Sequence, residues 1–173
     1  MHHPAESAFN WRAMTQPDMV AVQAIASLVH PTYPESPDVF LERLSLYPEG
    51  CLVLENGQGV VVGYAISHPW HAGQPPALDS LLVALPQQAS TYYLHDIALL
   101  PQARGRGAPS SLLALLLKQA NVASLDELSL VAVNGSRSYW QGQHFEVLRE
   151  PTLVVKLRSY DEDACLMRRR CCA

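Results

Sequence analysis

The sequence predicts a single α/β domain, and three observations carry that prediction. Tyr93 to Leu100 reads as a strand that leads through a basic, glycine-rich turn, Gln102 to Gly107, into an apolar helix starting near Pro109. Two apolar runs, Cys51 to Glu55 and Val60 to Ser67, flank Asn56-Gly57-Gln58-Gly59, which suits a hairpin turn. Strand-like and helix-like segments then interleave along the chain, with no repeat, linker or low-complexity stretch between them.

Taken in order, residues 1–10 read as a flexible N-terminus, 11–158 as the folded domain and 159–173 as a C-terminal tail. A short strand near Arg12 precedes a helix over Pro17 to Val29, where Met19, Val22, Ile25, Ala26 and Val29 keep a spacing of three to four. Ser36 as N-cap, Pro37 in the first position and Asp38 in the first turn open a second helix. The hairpin follows, then a loop from His68 to Ala77 and a short helical stretch over Leu78 to Leu85. After the strand, glycine turn and helix come a strand at Glu127 to Val133 and a short helix around Ser136 to Gln141. Strands near Phe145 to Leu148 and Leu153 to Leu157 complete the order.

Composition narrows the class. A chain of 173 residues with 49% apolar and 16% charged residues suits a compact enzyme, large enough to bury about 70% of its unfolded surface. A net charge of -4 argues against a general nucleic-acid binder, so the basic turn is a local device. No apolar run is long enough for a membrane span, and no leader pattern opens the chain; a cytoplasmic location is expected. Cys51 falls in an apolar strand and reads as core, whereas Cys165, Cys171 and Cys172 fall in the segment read as a solvated tail. Their spacing fits neither a disulfide framework nor a zinc site, and no metal is expected.

The turn is the most informative segment. The first N–H groups of a helix lack internal partners, and the helix dipole adds about half a positive charge there. Gly105 and Gly107 allow close backbone approach, and Arg104 and Arg106 supply donors suited to phosphate oxygens. A P-loop is excluded because no Lys-Ser or Lys-Thr pair follows. A dinucleotide fingerprint is approached by Gly105, Gly107 and Ser110, but Asp126 and Glu127 begin the next strand rather than end it. The pattern Gln102-Ala103-Arg104-Gly105-Arg106-Gly107, preceded by Ile97-Ala98-Leu99-Leu100-Pro101, resembles the acetyl-CoA loop of the GNAT N-acetyltransferase superfamily.

That resemblance spans roughly residues 11–158. It implies a mixed, mostly antiparallel central sheet with helices on both faces and a splayed pair of parallel strands. It also implies acetyl-CoA as cofactor, with the pantetheine arm pairing along Ile97, Ala98 and Leu99. The diphosphate would rest on Gln102, Arg104, Gly105, Arg106, Gly107, Ala108 and Ser110. A second segment, Val133 to Phe145, resembles the GNAT stretch in which a strand ends in Asn and a short helix carries Tyr. By that likeness Asn134 and Trp140 contact the cofactor arm. Trp140 stands where a Tyr general acid is usual, with Tyr139 one place earlier, and His144 replaces a Gly. An indole N–H is not a useful acid, so Tyr139 is the remaining candidate. Pro109, where a small residue is usual, removes one donor from the turn.

The reaction implied is acetyl transfer to a neutral amine. An alkylamine is about 0.04% neutral at pH 7, a deficit of roughly 4.6 kcal/mol, so a proton acceptor is needed. A donor would ease departure of the thiolate, and a backbone N–H would stabilise the oxyanion. His95 is the first choice for the acceptor: it matches a position where arylalkylamine acetyltransferases carry a proton-relaying histidine, and Tyr93 matches a second. Strand alternation puts Tyr93, His95, Ile97 and Leu99 on one face and Asp96 on the other. A core histidine bonded to the backbone or to a neighbouring carboxylate is the competing account of His95. The loops His30 to Glu35 and His68 to His71 would shape the acceptor groove. There Glu35 would attract a cationic amine, and Tyr33 or Trp70 would stack on it.

The leading expectation is therefore an acetyl-CoA-dependent N-acetyltransferase using direct attack on a small-molecule or peptide amine, with no nucleic-acid or membrane partner. A homodimer is compatible with the chain. The alternative is a non-catalytic acyl-CoA-binding or sensing module of the same shape, and a dinucleotide-dependent oxidoreductase ranks third.

Overall fold

The structure, a computed structural model, describes residues 9–158 and 160–171. Most of the expected flexible N-terminus, and Cys172, lie outside the described residues.

The N-terminal half forms largely as its patterns dictate. Strand β1 (Asn10–Ala13) leads through a short 3-10 turn into α1 (Met19–Val29), which buries Met19, Val22 and Ile25 along one stripe. Helix α2 (Pro37–Leu46) starts on a proline and buries Val39, Phe40 and Arg43. Strands β2 (Cys51–Glu55) and β3 (Val61–Trp70) form the hairpin. Its turn is fixed by Asn56 Oδ1, which accepts from the N–H groups of Gln58 and Val60, each at 3.0 Å.

The stretch expected to be a loop from His68 onward is still strand to Trp70, because His68, Pro69 and Trp70 pair with Tyr93, Tyr92 and Thr91. No helix forms over 78–85. Asp79 and Val83 have positive φ, and the local N–H groups go to carboxylates instead of to carbonyls four residues back. Leu82 and Val83 donate to Glu42 at 2.6 and 2.9 Å, and Asp79 donates to Glu35 at 3.2 Å.

Strand β4 (Thr91–Leu99), α3 (Ala108–Val122), β5 (Glu127–Ala132), α4 (Arg137–Gly142) and β6 (Glu146–Val147) follow the expected order. The end of the domain does not. Residues Leu153 to Leu157, read as a strand, lie in helix α5 (Pro151–Arg158), which turns Leu153 and Leu157 onto one side to meet Leu166. The missing strand is β7 (Cys165–Arg170), within the segment read as a tail. Its arginines each have a partner at the surface: Arg168 pairs with Glu146 at 3.1 Å, Arg170 with Asp126 at 3.1 Å, and Arg169 donates to the Gln143 carbonyl.

The seven strands order as β1-β2-β3-β4-β5-β7-β6, with β4 and β5 the parallel pair and every other pairing antiparallel. Helices α1 and α2 cover one face over Val53, Tyr64, Ile66 and Ala98. Helices α3 and α4 cover the other, where Leu112, Leu116 and Trp140 meet Tyr92, Leu94, Leu130 and Met167. No helix among the described residues is long and apolar enough to cross a membrane.

Two irregularities position the site. Strands β4 and β5 pair only through Tyr92↔Leu128, Tyr93↔Ser129 and Leu94↔Leu130, although β4 runs on to Leu99 and β5 to Ala132. Their tips therefore part, leaving a gap at the C-terminal ends. The second is a bulge: Ser67 pairs with Leu94 and Ile66 with Asp96, so His95 is an extra residue in β4.

Candidate active site

The glycine turn is built as an anion cradle. Gly105 and Gly107 hold φ of 70° and 76°, a left-handed backbone that costs other residues about 1 kcal/mol or more, and Gly107 is the N-cap of α3. The first backbone bond of the helix runs from Ser111 N to Gly107 O. No acceptor among the described residues takes the N–H groups of Gly105, Arg106, Gly107, Ala108 or Ser110. A Cβ placed on either glycine would meet nothing within 4 Å. The open space and unpaired amides fit a diphosphate. Trp11 Nε1, donating to Ala108 O at 3.0 Å, and Arg104 Nε, donating to Leu99 O at 3.1 Å, brace the two sides of the turn. Arg106 lies over the Phe9 ring. Gln102 is exposed, on the 3-10 turn before the glycines.

From this turn a cleft of about 420 Å3 runs into the gap between β4 and β5. Ile97, Leu99, Arg104, Asn134, Tyr139 and Trp140 are among the residues that line it, with His95 and Asp96 at its inner end. Ala98 does not present its side chain there; it is buried against the α1 and α2 face. Beyond His95 a smaller chamber of about 60 Å3 continues, bounded by Tyr33, Glu35, Tyr93 and Tyr160 and sharing His30, His95 and Asp96 with the cleft.

The bulge corrects the simple alternation. Ile97 and Leu94 pack toward α3, but His95 and Asp96 both reach the connection between α1 and α2. His95 Nε2 lies 2.8 Å from Glu35 Oε1, and both side chains are buried. Asp96 Oδ1 lies 2.9 Å from His30 Nε2, and its Oδ2 accepts from Tyr64 at 2.5 Å. One residue too many in the strand thus aims two consecutive side chains at the same loop. His30 Nε2 also lies 3.2 Å from Ile97 O. Burial alone would lower the His30 imidazole, but the bond to Asp96, the Asp96 charge and the Ile97 carbonyl leave it raised. Burial pushes Asp96 up in turn, and His30 and Tyr64 more than offset it, so Asp96 stays ionised below the usual carboxylate range.

Glu35, expected to attract the acceptor directly, lines the chamber and also holds His95. Tyr93 faces the chamber, fully enclosed, and burial raises its hydroxyl well above the ordinary value. Tyr33 donates to Asp161 at 3.0 Å and lies 3.4 Å from Asn134 Oδ1, while Asn134 N donates to the same Asp161 oxygen at 3.0 Å. Trp70 is not in the cleft; it meets His68 edge-on and His71 at a tilt, and donates to Gln74 O. On α4 the two aromatics differ in burial, although both line the cleft. Trp140 is buried against Phe145 and the α3 core, and Tyr139 is the exposed one. Sequence reasoning passed over Tyr160 and Asp161, and named His30 only as the start of the acceptor loop. His30 carried one signal, a histidine closing an amphipathic helix five residues before Glu35, but its partner became visible only through the bulge.

Residues 11–145 match the model of the acetyltransferase (GNAT) family. None of the curated proteins matches the chain by sequence. Among solved structures, Ard1 from Thermoplasma volcanium superposes with a TM-score of 0.71 at 17% identity, covering 94% of this chain and 97% of that one. The GphF GNAT-like decarboxylase, solved with isobutyryl-CoA, gives 0.73 at 16% identity over 94% and 99%. Arabidopsis thaliana Naa50, solved with the bisubstrate analogue CoA-Ac-MVNAL, gives 0.66 at 12% identity over 93% and 97%.

Proposed function

The chain belongs to the GNAT acetyltransferase family, and on that premise we propose that it transfers an acetyl group from acetyl-CoA to a primary amine by direct attack. The observation that carries this reading is a turn with unpaired helix-start amides beside one end of the cleft, where Arg104 and Pro109 line it, and a buried His–Glu pair where the cleft meets the smaller chamber. Acetyl-CoA would supply an acetyl group activated as a thioester. The amides of Gly105 to Ser110 would hold its diphosphate, and the unpaired edge of β4 at Ile97 to Leu99 would align its arm.

His95 takes the amine proton. Its ring is fixed by Glu35, which orients the imidazole and favours the imidazolium that results. Asp96, tied to His30 and Tyr64, keeps a second negative charge beside it. Cys51 supports no covalent route: it is fully buried under α1 and α2, and burial raises its thiol to about 12. Tyr139 is a weak candidate acid, because burial raises its hydroxyl against the opposing bond from Ser110.

One observation favours a second reading, a CoA-binding module without turnover: the position usual for the general acid is a buried indole. Thiol release from acetyl-CoA across a panel of amines separates the two. Release above the hydrolytic background supports the enzyme. Tight acetyl-CoA binding with no release from any amine supports the binding module.

A further inference from the structure

The acceptor side of the cavity is walled, and its walls are tied to one another. Three connections enclose the chamber beyond His95: the α1–α2 loop with Tyr33 and Glu35, segment 75–83 with Leu78, and the α5–β7 connection with Tyr160. Tyr160 donates to the Pro76 carbonyl, and Lys156 Nζ donates to Pro75 O at 2.6 Å. Asp161 joins Tyr33 to the turn after β5, and Ser36 N donates to Asp79 Oδ1 at 2.6 Å. A polypeptide acceptor needs a groove open along at least one edge for its second and later residues. Here both flanking connections are tied across that edge, and about 60 Å3 is small against the roughly 300–1,000 Å3 of a drug-sized ligand site.

Charge adds a second restriction. The chamber presents the carboxylates of Glu35 and Asp96 and the imidazoles of His30 and His95, and no Lys or Arg lines it. The nearby Arg43 donates to Glu42 and to Ser80 O. An acceptor carboxylate would be stripped of water beside two like charges, whereas an ammonium finds those charges and tyrosine faces. We propose that the acceptor is a compact primary amine without a carboxylate, held as a cation in this chamber, and that polypeptide N-termini and amino acids are shut out.

This proposal rests on the acetyltransferase reading. The test uses the full chain with acetyl-CoA and follows thiol release. Propylamine and isobutylamine are compared with their carboxylated counterparts, β-alanine and valine, and with an octapeptide bearing a free N-terminus. The better simple amine is expected to exceed every carboxylated acceptor and the peptide at least 100-fold in kcat/KM. Tyr160→Ala, which removes the tie to Pro76, is expected to raise peptide use at least tenfold and leave β-alanine poor. Peptide or β-alanine use equal to that of the simple amines overturns the proposal and leaves the acetyltransferase reading standing. Acetyl-CoA binding by calorimetry with no release from any acceptor overturns both.

Discussion

Glu35 Oε1 and His95 Nε2 stand 2.8 Å apart with each side chain only 7% exposed, so the α1–α2 loop and the bulge of β4 meet in a buried acid–imidazole pair. Removing one partner of such a pair leaves the other uncompensated. His95→Ala is expected to lower kcat by about 10²–10⁴-fold, the usual contribution of a positioned base, with acetyl-CoA affinity within twofold of the parent. Glu35→Gln keeps the shape but not the charge and should cost kcat about tenfold or more. Steady-state thiol release and calorimetry check both, and full turnover by His95→Ala would remove that residue from the mechanism.

Gly107→Asp sets a carboxylate where the turn directs its unpaired amides. Because a Cβ there meets nothing within 4 Å, the folded state should survive, at a cost of about 1 kcal/mol for the left-handed backbone. CoA affinity should fall at least 100-fold. Retained affinity in a folded variant would move the diphosphate elsewhere.

Trp140 lines the cleft and is at the same time a core residue, buried against Phe145. Trp140→Ala should cost about 3–5 kcal/mol, which for a domain of this size lowers Tm by at least about 6 °C. Tyr139→Phe, on the exposed side of the same helix, should lower Tm by less than about 2 °C, within the range of ordinary surface substitutions. Thermal denaturation of the pair distinguishes these roles.

His68 is enclosed between Trp70, Tyr93 and His95, and burial pulls its imidazole down to about 3. The unfolded chain takes up that proton near pH 6.5 and the folded chain does not until about 3. Its stability contribution is therefore intact above pH 6.5 and drains away toward pH 3, at about 1.4 kcal/mol per pH unit. His68→Phe should flatten the fall of the urea midpoint between pH 6.5 and 4, relative to the parent. Parallel falls would show that His68 takes up its proton in the folded state.

Features fixed by local chemistry were legible in the amino acids. Gly105 and Gly107 are needed for positive φ, Asn56 closes its own turn, and Pro37 starts a helix whatever surrounds it. Features fixed by partners were not. Leu153 to Leu157 carries apolar residues that satisfy a strand or a helix, and Leu166 decides between them. The arginines of β7 look unpartnered until Glu146, Asp126 and the Gln143 carbonyl are placed beside them. The bulge at His95 depends on the register with β3, so strand alternation sent Asp96 to the wrong face.

Strand β7 follows every other described element along the chain, yet lies inside the sheet, between β5 and β6. A nascent polypeptide ending at Ala164 would thus leave bare the edges of β5 and β6 that face β7. Completion of the sheet therefore depends on Cys165–Arg170, and a change there would disturb a seam between two strands.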